Sequence, residues 1–73
     1  MERETAIEIA QSEATAKGWQ WIGEVEAACA RKWLLFGPKQ WSVRSNAQAR
    51  GINVYVLIDD ASGEVLRAGY CPR

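Results

Sequence analysis

Three carboxylates, Asp59, Asp60 and Glu64, crowd one short stretch of this chain, and grouped oxygens of this kind can hold a hard cation. Their spacing lacks the ligand alternation of a calcium-binding loop. Asp60-Ala-Ser-Gly63 also supplies what a type I turn closed by a left-handed Gly needs, so the acids read as turn chemistry and not as a metal site. Other reactive side chains are few. The chain has no histidine, which removes His-based nucleophilic triads and His metal ligation. Cys29 and Cys71 stand far apart without a Cys-x-x-Cys spacing. Cys29 lies in an Ala-rich run and reads as a small hydrophobe, and for Cys71, near a terminus, an exposed and oxidisable thiol is the less favoured alternative. No Gly-rich phosphate loop or catalytic signature is present. These residues describe a protein that is not an enzyme and takes no cofactor.

A binding surface is better supported than a reactive centre. In Ile52-Asn-Val-Tyr-Val-Leu-Ile-Asp59 the residues alternate, which puts Ile52, Val54, Val56 and Ile58 on the core side of a strand. The other side then carries Asn53, Tyr55 and Leu57, with Arg44 and Arg67 expected from the strands on either side. Tyr and Arg are favoured anchors at protein interfaces. Arg44, Asn53, Tyr55, Leu57 and Arg67 are therefore the expected binding residues. The expected partner is another protein or a second copy of the chain, docked on the sheet face or on an edge strand. The alternative is a single-stranded nucleic acid, stacked and neutralised by Arg44, Arg50, Tyr55 and Arg67. Nine basic residues balance nine acidic ones, which weighs against a polyanion binder. The balance conceals a polarity. Residues 1–30 hold six acids and two bases, a net of minus four, and residues 31–73 hold seven bases and three acids, a net of plus four.

The elements that must position these residues follow from local chemistry. Glu2–Lys17 is rich in good helix formers and ends at Gly18, with Thr5 and Glu8 spaced as a capping box and a start one turn earlier as the alternative. Ile7, Ala10, Ala14 and Lys17 form its expected inner stripe, flanked by Ala6 and Ile9. Trp19 and Trp21 follow in an extended turn that would tuck at least one ring under the helix end. Glu24–Phe36 is ambiguous: propensity favours a helix stopped by Gly37-Pro38, yet Val25, Ala27, Cys29 and Arg31 alternate with their neighbours as in a strand. Trp41–Asn46 reads as a strand with Trp41 and Val43 on one face. The run 52–59 reads as the central strand, and 64–70 pairs back on it before Pro72. For that last strand, both Val65/Arg67 and Leu66/Ala68/Tyr70 are acceptable as one face.

A helix followed by Trp41-Ser-Val43, then an apolar strand Val54, Val56, Ile58, Asp59 running through Gly63 into Glu64-Val65, resembles PepSY-type domains. The resemblance implies a small α+β domain with one helix against an antiparallel sheet, similar also to cystatin-like layouts. It implies a binding or inhibitory module, and it places a first strand within Glu24–Leu35.

Seventy-three residues suffice for one domain, residues 1–73, with a small core. The expected fold is α+β: one N-terminal helix packed on an antiparallel meander of three to four strands. Two cysteines make no disulfide framework, Met1-Glu-Arg-Glu is unlike a secretory signal, and no apolar run approaches the ~20 residues of a membrane span. The expectation is a reduced, cytoplasmic protein with no membrane contact.

Overall fold

The computed structural model describes residues 1–33, 36–49 and 51–72, with side chains at all of these except 32, 33 and 36. One helix, α1 (Arg3–Ala16), covers one face of a four-stranded antiparallel sheet. The strands are β1 (Glu26–Trp33), β2 (Phe36–Arg44), β3 (Asn53–Asp59) and β4 (Val65–Cys71), hydrogen-bonded in chain order. The architecture is the α+β meander expected from the sequence.

Helix α1 begins a turn before Thr5. Glu2 occupies the N-cap position in extended conformation without a side-chain cap bond, so the Thr5/Glu8 pair lies inside the helix. Its C-terminus closes as a Schellman motif: Gly18 takes φ 73°, its N–H donates to the Thr15 carbonyl, and Trp19 N–H donates to the Ala14 carbonyl at 2.8 Å. That closure delivers the Trp19 ring onto Tyr70 of β4, stacked at 5.8 Å between centroids with 11° between planes. The buried stripe is Ala6, Ala10 and Ala14, each fully covered, with Ile7 and Ile9 packed on its flanks. The stripe expected at Ile7/Ala10/Ala14 is therefore turned by one residue. Residues four apart share a helix face, and a stripe of methyl groups lets the helix axis approach the sheet closely.

The sheet supplies Val43, Val54, Val56 and Ile58 to the core against those alanines. Ile52, expected to lead this inward set, precedes β3 and takes φ 52° in the connecting turn.

Segment 24–36 is where helix propensity misleads. Residues 26–33 form strand β1, in register with β2 from Glu26↔Arg44 through Arg31↔Lys39. Gly37-Pro38 interrupts that ladder as a bulge in place of ending a helix. Two β2 residues stand between the Lys39 and Phe36 pairings where β1 has one, and Gly37 takes φ 102°. A bulge is one of the few sheet positions that accepts Pro, which has no N–H to donate.

At the other hairpin, Asp59 N–H donates to the Glu64 carbonyl at 2.9 Å and Gly63 N–H to the Asp59 carbonyl at 2.8 Å, with Gly63 at φ 75°. A second bulge follows: Leu57 pairs Arg67, but Ile58 pairs Val65. The extra residue settles the parity of β4, because Val65, Ala68 and Tyr70 can all pack on the core while Arg67 stays on the opposite face.

Candidate functional site: the uncovered sheet face

With α1 on one face, the other is open. The register gives it rows that run across the strands. Glu26, Arg44, Tyr55 and Gly69 stand level, as do Ala28, Ser42, Leu57 and Arg67, and then Ala30, Gln40 and Asp59. Cross-strand neighbours such as Arg44 and Tyr55 sit within contact distance. The Arg44 guanidinium lies over the Tyr55 ring, 5.7 Å from its centroid, a cation–π arrangement. Arg44 Nε is buried there without an acceptor among the described residues. Tyr55 remains 45% exposed, an unusual state for so large a ring in the centre of a sheet.

Gly69 shapes this surface. A Cβ built there would meet nothing within 4 Å, so its missing side chain leaves a hollow beside Tyr55. Ser42, Tyr55, Leu57, Arg67 and Gly69 line that shallow groove of about 170 Å³. Neither Ser42 nor Gly69 stood out in the sequence. The usable signal was Gly69 itself, because an isolated Gly inside a strand pattern marks a place where something else approaches the backbone.

Of the five expected binding residues, the structure places Arg44, Tyr55, Leu57 and Arg67 together on this face. Asn53 shares their parity but is only 2% exposed. Its amide nitrogen donates to the carbonyls of Ser45, Asn46 and Ala49 at 3.0, 2.8 and 3.4 Å, and its oxygen accepts Gly51 N–H at 2.9 Å. Asn53 therefore ties down the β2–β3 connection and offers nothing to a ligand. Arg50 lies outside the described residues.

The carboxylates of the second hairpin point to separate tasks. Asp59 accepts the Ser62 N–H and hydroxyl at 2.9 and 2.8 Å, holding the turn. Asp60 accepts the Trp41 indole N–H at 2.7 Å and lies 3.3 Å from the Met1 ammonium. The indole bond, aided by that ammonium, holds the Asp60 carboxyl below the usual aspartate range, against a smaller opposing effect of burial. A depressed carboxylate stabilises the fold above its unfolded value of ~3.9, and the contribution disappears as pH falls through the lower folded value. Asp60→Asn keeps an oxygen for Trp41 but removes the charge. Thermal melts of this variant and the parent should therefore converge as the pH drops below about 4. An unchanged gap between the two across that range would show that the Asp60 charge does not contribute.

The fold and the face together define a class: a small α+β domain with a one-helix layer on a meander sheet whose second face is open and lined by Tyr, Leu and Arg. Compared with known proteins, the chain matches no family model, no curated protein and no solved structure. Among the described residues no helix is long and apolar enough to cross a membrane.

Proposed function

We propose that the chain is a non-enzymatic protein-binding module that docks through the open sheet face. The observation that carries this reading is the stacked Arg44–Tyr55 pair beside the Gly69 groove, with Leu57 and Arg67 completing its wall. An exposed aromatic, an aliphatic side chain and two guanidinium groups around a shallow hollow form the composition of an interface centre. The partner suited to it is a protein that inserts an apolar side chain beside Tyr55 and offers a carboxylate to Arg44 or Arg67. Glu26 stands level with Arg44, and Asp59 stands on the same face next along the strand from Leu57. A surface of mixed sign suits a protein better than a phosphate backbone, which rewards uninterrupted positive charge. The resemblance to PepSY-type domains, regarded as binding modules, points the same way.

A photo-reactive phenylalanine analogue placed at Tyr55, and a control at the exposed helix position Gln11, test the reading in the native cell. The expected result is a discrete protein adduct from position 55 that is absent from position 11 and is lost on Arg67→Glu. The same bands from both positions would overturn the proposal. So would a salt-dependent shift of a single-stranded oligonucleotide that Arg67→Glu abolishes, which would favour the nucleic-acid alternative.

A further inference from the structure

The edge strand β1 carries an inference independent of the open face. We propose that β1 pairs antiparallel with β1 of a second copy, centred on Cys29, to make a continuous eight-stranded sheet.

The backbone shows which groups are available. Consecutive residues of an antiparallel strand direct their N–H and C=O groups to opposite sides. On β2 the odd residues face β3. Ser45 N–H donates to the Val54 carbonyl just past the strand end, and Asp60 N–H donates to the Lys39 carbonyl. The even residues Gln40, Ser42 and Arg44 therefore face β1, and their partners Ala30, Ala28 and Glu26 use their own groups in that ladder. Ala27, Cys29 and Arg31 consequently turn their N–H and C=O groups to the free edge. Two neighbouring contacts agree with this parity. The Glu24 carbonyl is taken from the β2 side by Ala47 N–H, and the Val25 carbonyl is reached by Arg3.

Natural edge strands are blunted by Pro, bulges, charged side chains or a covering segment. Between Glu26 and the bulge opposite position 32, β1 has none of these until Arg31. Ala27, Ala28, Cys29 and Ala30 are small, and residues 28–31 are exposed.

The sequence of this stretch argues for a second copy as the occupant. Two identical strands paired antiparallel about a dyad perpendicular to the sheet must centre on one residue. Centred on Cys29, Ala28 stands level with Ala30, Ala27 with Arg31, and Glu26 with position 32, a lysine in the sequence. Residues of opposite charge then stand level at both ends, and between them Arg31 faces Ala27 and the rest are small. Centring on Ala28 sets Glu26 against Ala30, and centring on Ala30 carries Glu26 past the strand end, so both lose that match. A net charge of zero adds no long-range repulsion between copies. The perpendicular dyad leaves both helices on one side of the joined sheet and both open faces on the other.

Sedimentation equilibrium on the intact chain should give twice the 8.2 kDa chain mass. A short bismaleimide, whose two rings each add one thiolate, should join two chains through Cys29, with peptide mapping separating this product from any through Cys71. Cys29→Lys puts two ammonium groups opposite each other at the dyad and should weaken the dimer by about tenfold or more. Its far-UV spectrum should match the parent, because Cys29 is exposed. Tyr55→Ala should leave the dimer intact, which separates this inference from the proposal for the open face. A parent chain that sediments as a monomer at high micromolar concentration would overturn the inference. A dimer that gives no Cys29–Cys29 adduct, or that survives Cys29→Lys with unchanged affinity, would do the same.

Discussion

Asn53→Ala should lower the melting temperature by roughly 10–20 °C. The amide of Asn53 serves three carbonyls of the β2–β3 connection and accepts one N–H from it. Truncation strips the buried Ser45 carbonyl and Gly51 N–H of their side-chain partner, while the Asn46 carbonyl keeps the Ala49 N–H, at a cost of about 2–3 kcal/mol. The connection is also held by Ala47 N–H to the Glu24 carbonyl, Ala49 N–H to the Asn46 carbonyl and Val54 N–H to the Ser45 hydroxyl, but its backbone is strained. Asn46 and Ile52 both sit at positive φ, 51° and 52°, a region costly for residues other than Gly. Asn46 in turn donates to the Gly51 carbonyl at 3.0 Å. Gly23 is packed so closely beneath it that an added Cβ would come within 2.9 Å of the Asn46 Cα. Asn53→Asp should be worse than Ala, since a carboxylate facing three carbonyl oxygens has nothing to donate. A melt within a few degrees of the parent for both variants would show that the loop holds itself. The variants also guard against a misreading. Loss of binding in an Asn53 variant would report a loosened sheet, and only Tyr55 or Arg67 variants with an unchanged melt bear on docking.

Asn53 also shows how far the sequence could be read. Strand alternation placed it beside Tyr55 and Leu57, and the parity was right. Alternation reports direction and not cover, and at the first residue of β3 the preceding loop folds over the face. Elements whose shape is set within a few residues were legible: the end of α1 at Gly18, the run 53–59, and the turn from Asp60 to Gly63. Elements decided by distant partners were not. Ala, Glu and Arg give residues 26–33 the local preference of a helix, and only pairing with β2 makes them a strand. The parity of β4 was undecidable for a related reason. Both readings of its alternation are partly correct, since a bulge after Val65 moves the strand from one phase to the other. For the candidate site, alternation placed Arg44, Tyr55 and Leu57, whereas Arg67 depended on the bulge that sets the parity of β4. The groove between them depends on Gly69, whose effect is the absence of a side chain from a particular row.

Ala10→Leu tests the packing beneath the site and should be as damaging as the loss of Asn53. Ala10 is fully covered at the middle of the Ala6/Ala10/Ala14 stripe and packs in one cluster with Val54, Val56 and Ile58. Ala10 is fully buried, so three added carbons must press on its neighbours, and either the leucine is strained or the helix moves off the sheet. Overpacking of this kind costs about 1–3 kcal/mol, and a lifted helix adds lost burial of the valines and Ile58. A 73-residue domain has only a few kcal/mol of total stability, so the variant should melt at least ~10 °C below the parent. Ser12→Leu, on the exposed side of the same helix, should stay within about 0.5 kcal/mol of the parent and serves as the control. If Ala10→Leu melts like Ser12→Leu, the helix does not sit as close as its alanines allow. The consequence for function is directional. Val54, Val56 and Ile58 alternate with Tyr55 and Leu57 along β3, so the alanine stripe that presses the first set flat also fixes the angle at which the second set meets a partner. A helix displaced by the Ala10→Leu substitution should therefore weaken docking even at temperatures where the variant is fully folded. A photo-adduct at position 55 that persists undiminished in folded Ala10→Leu would show that the two faces of the sheet act independently.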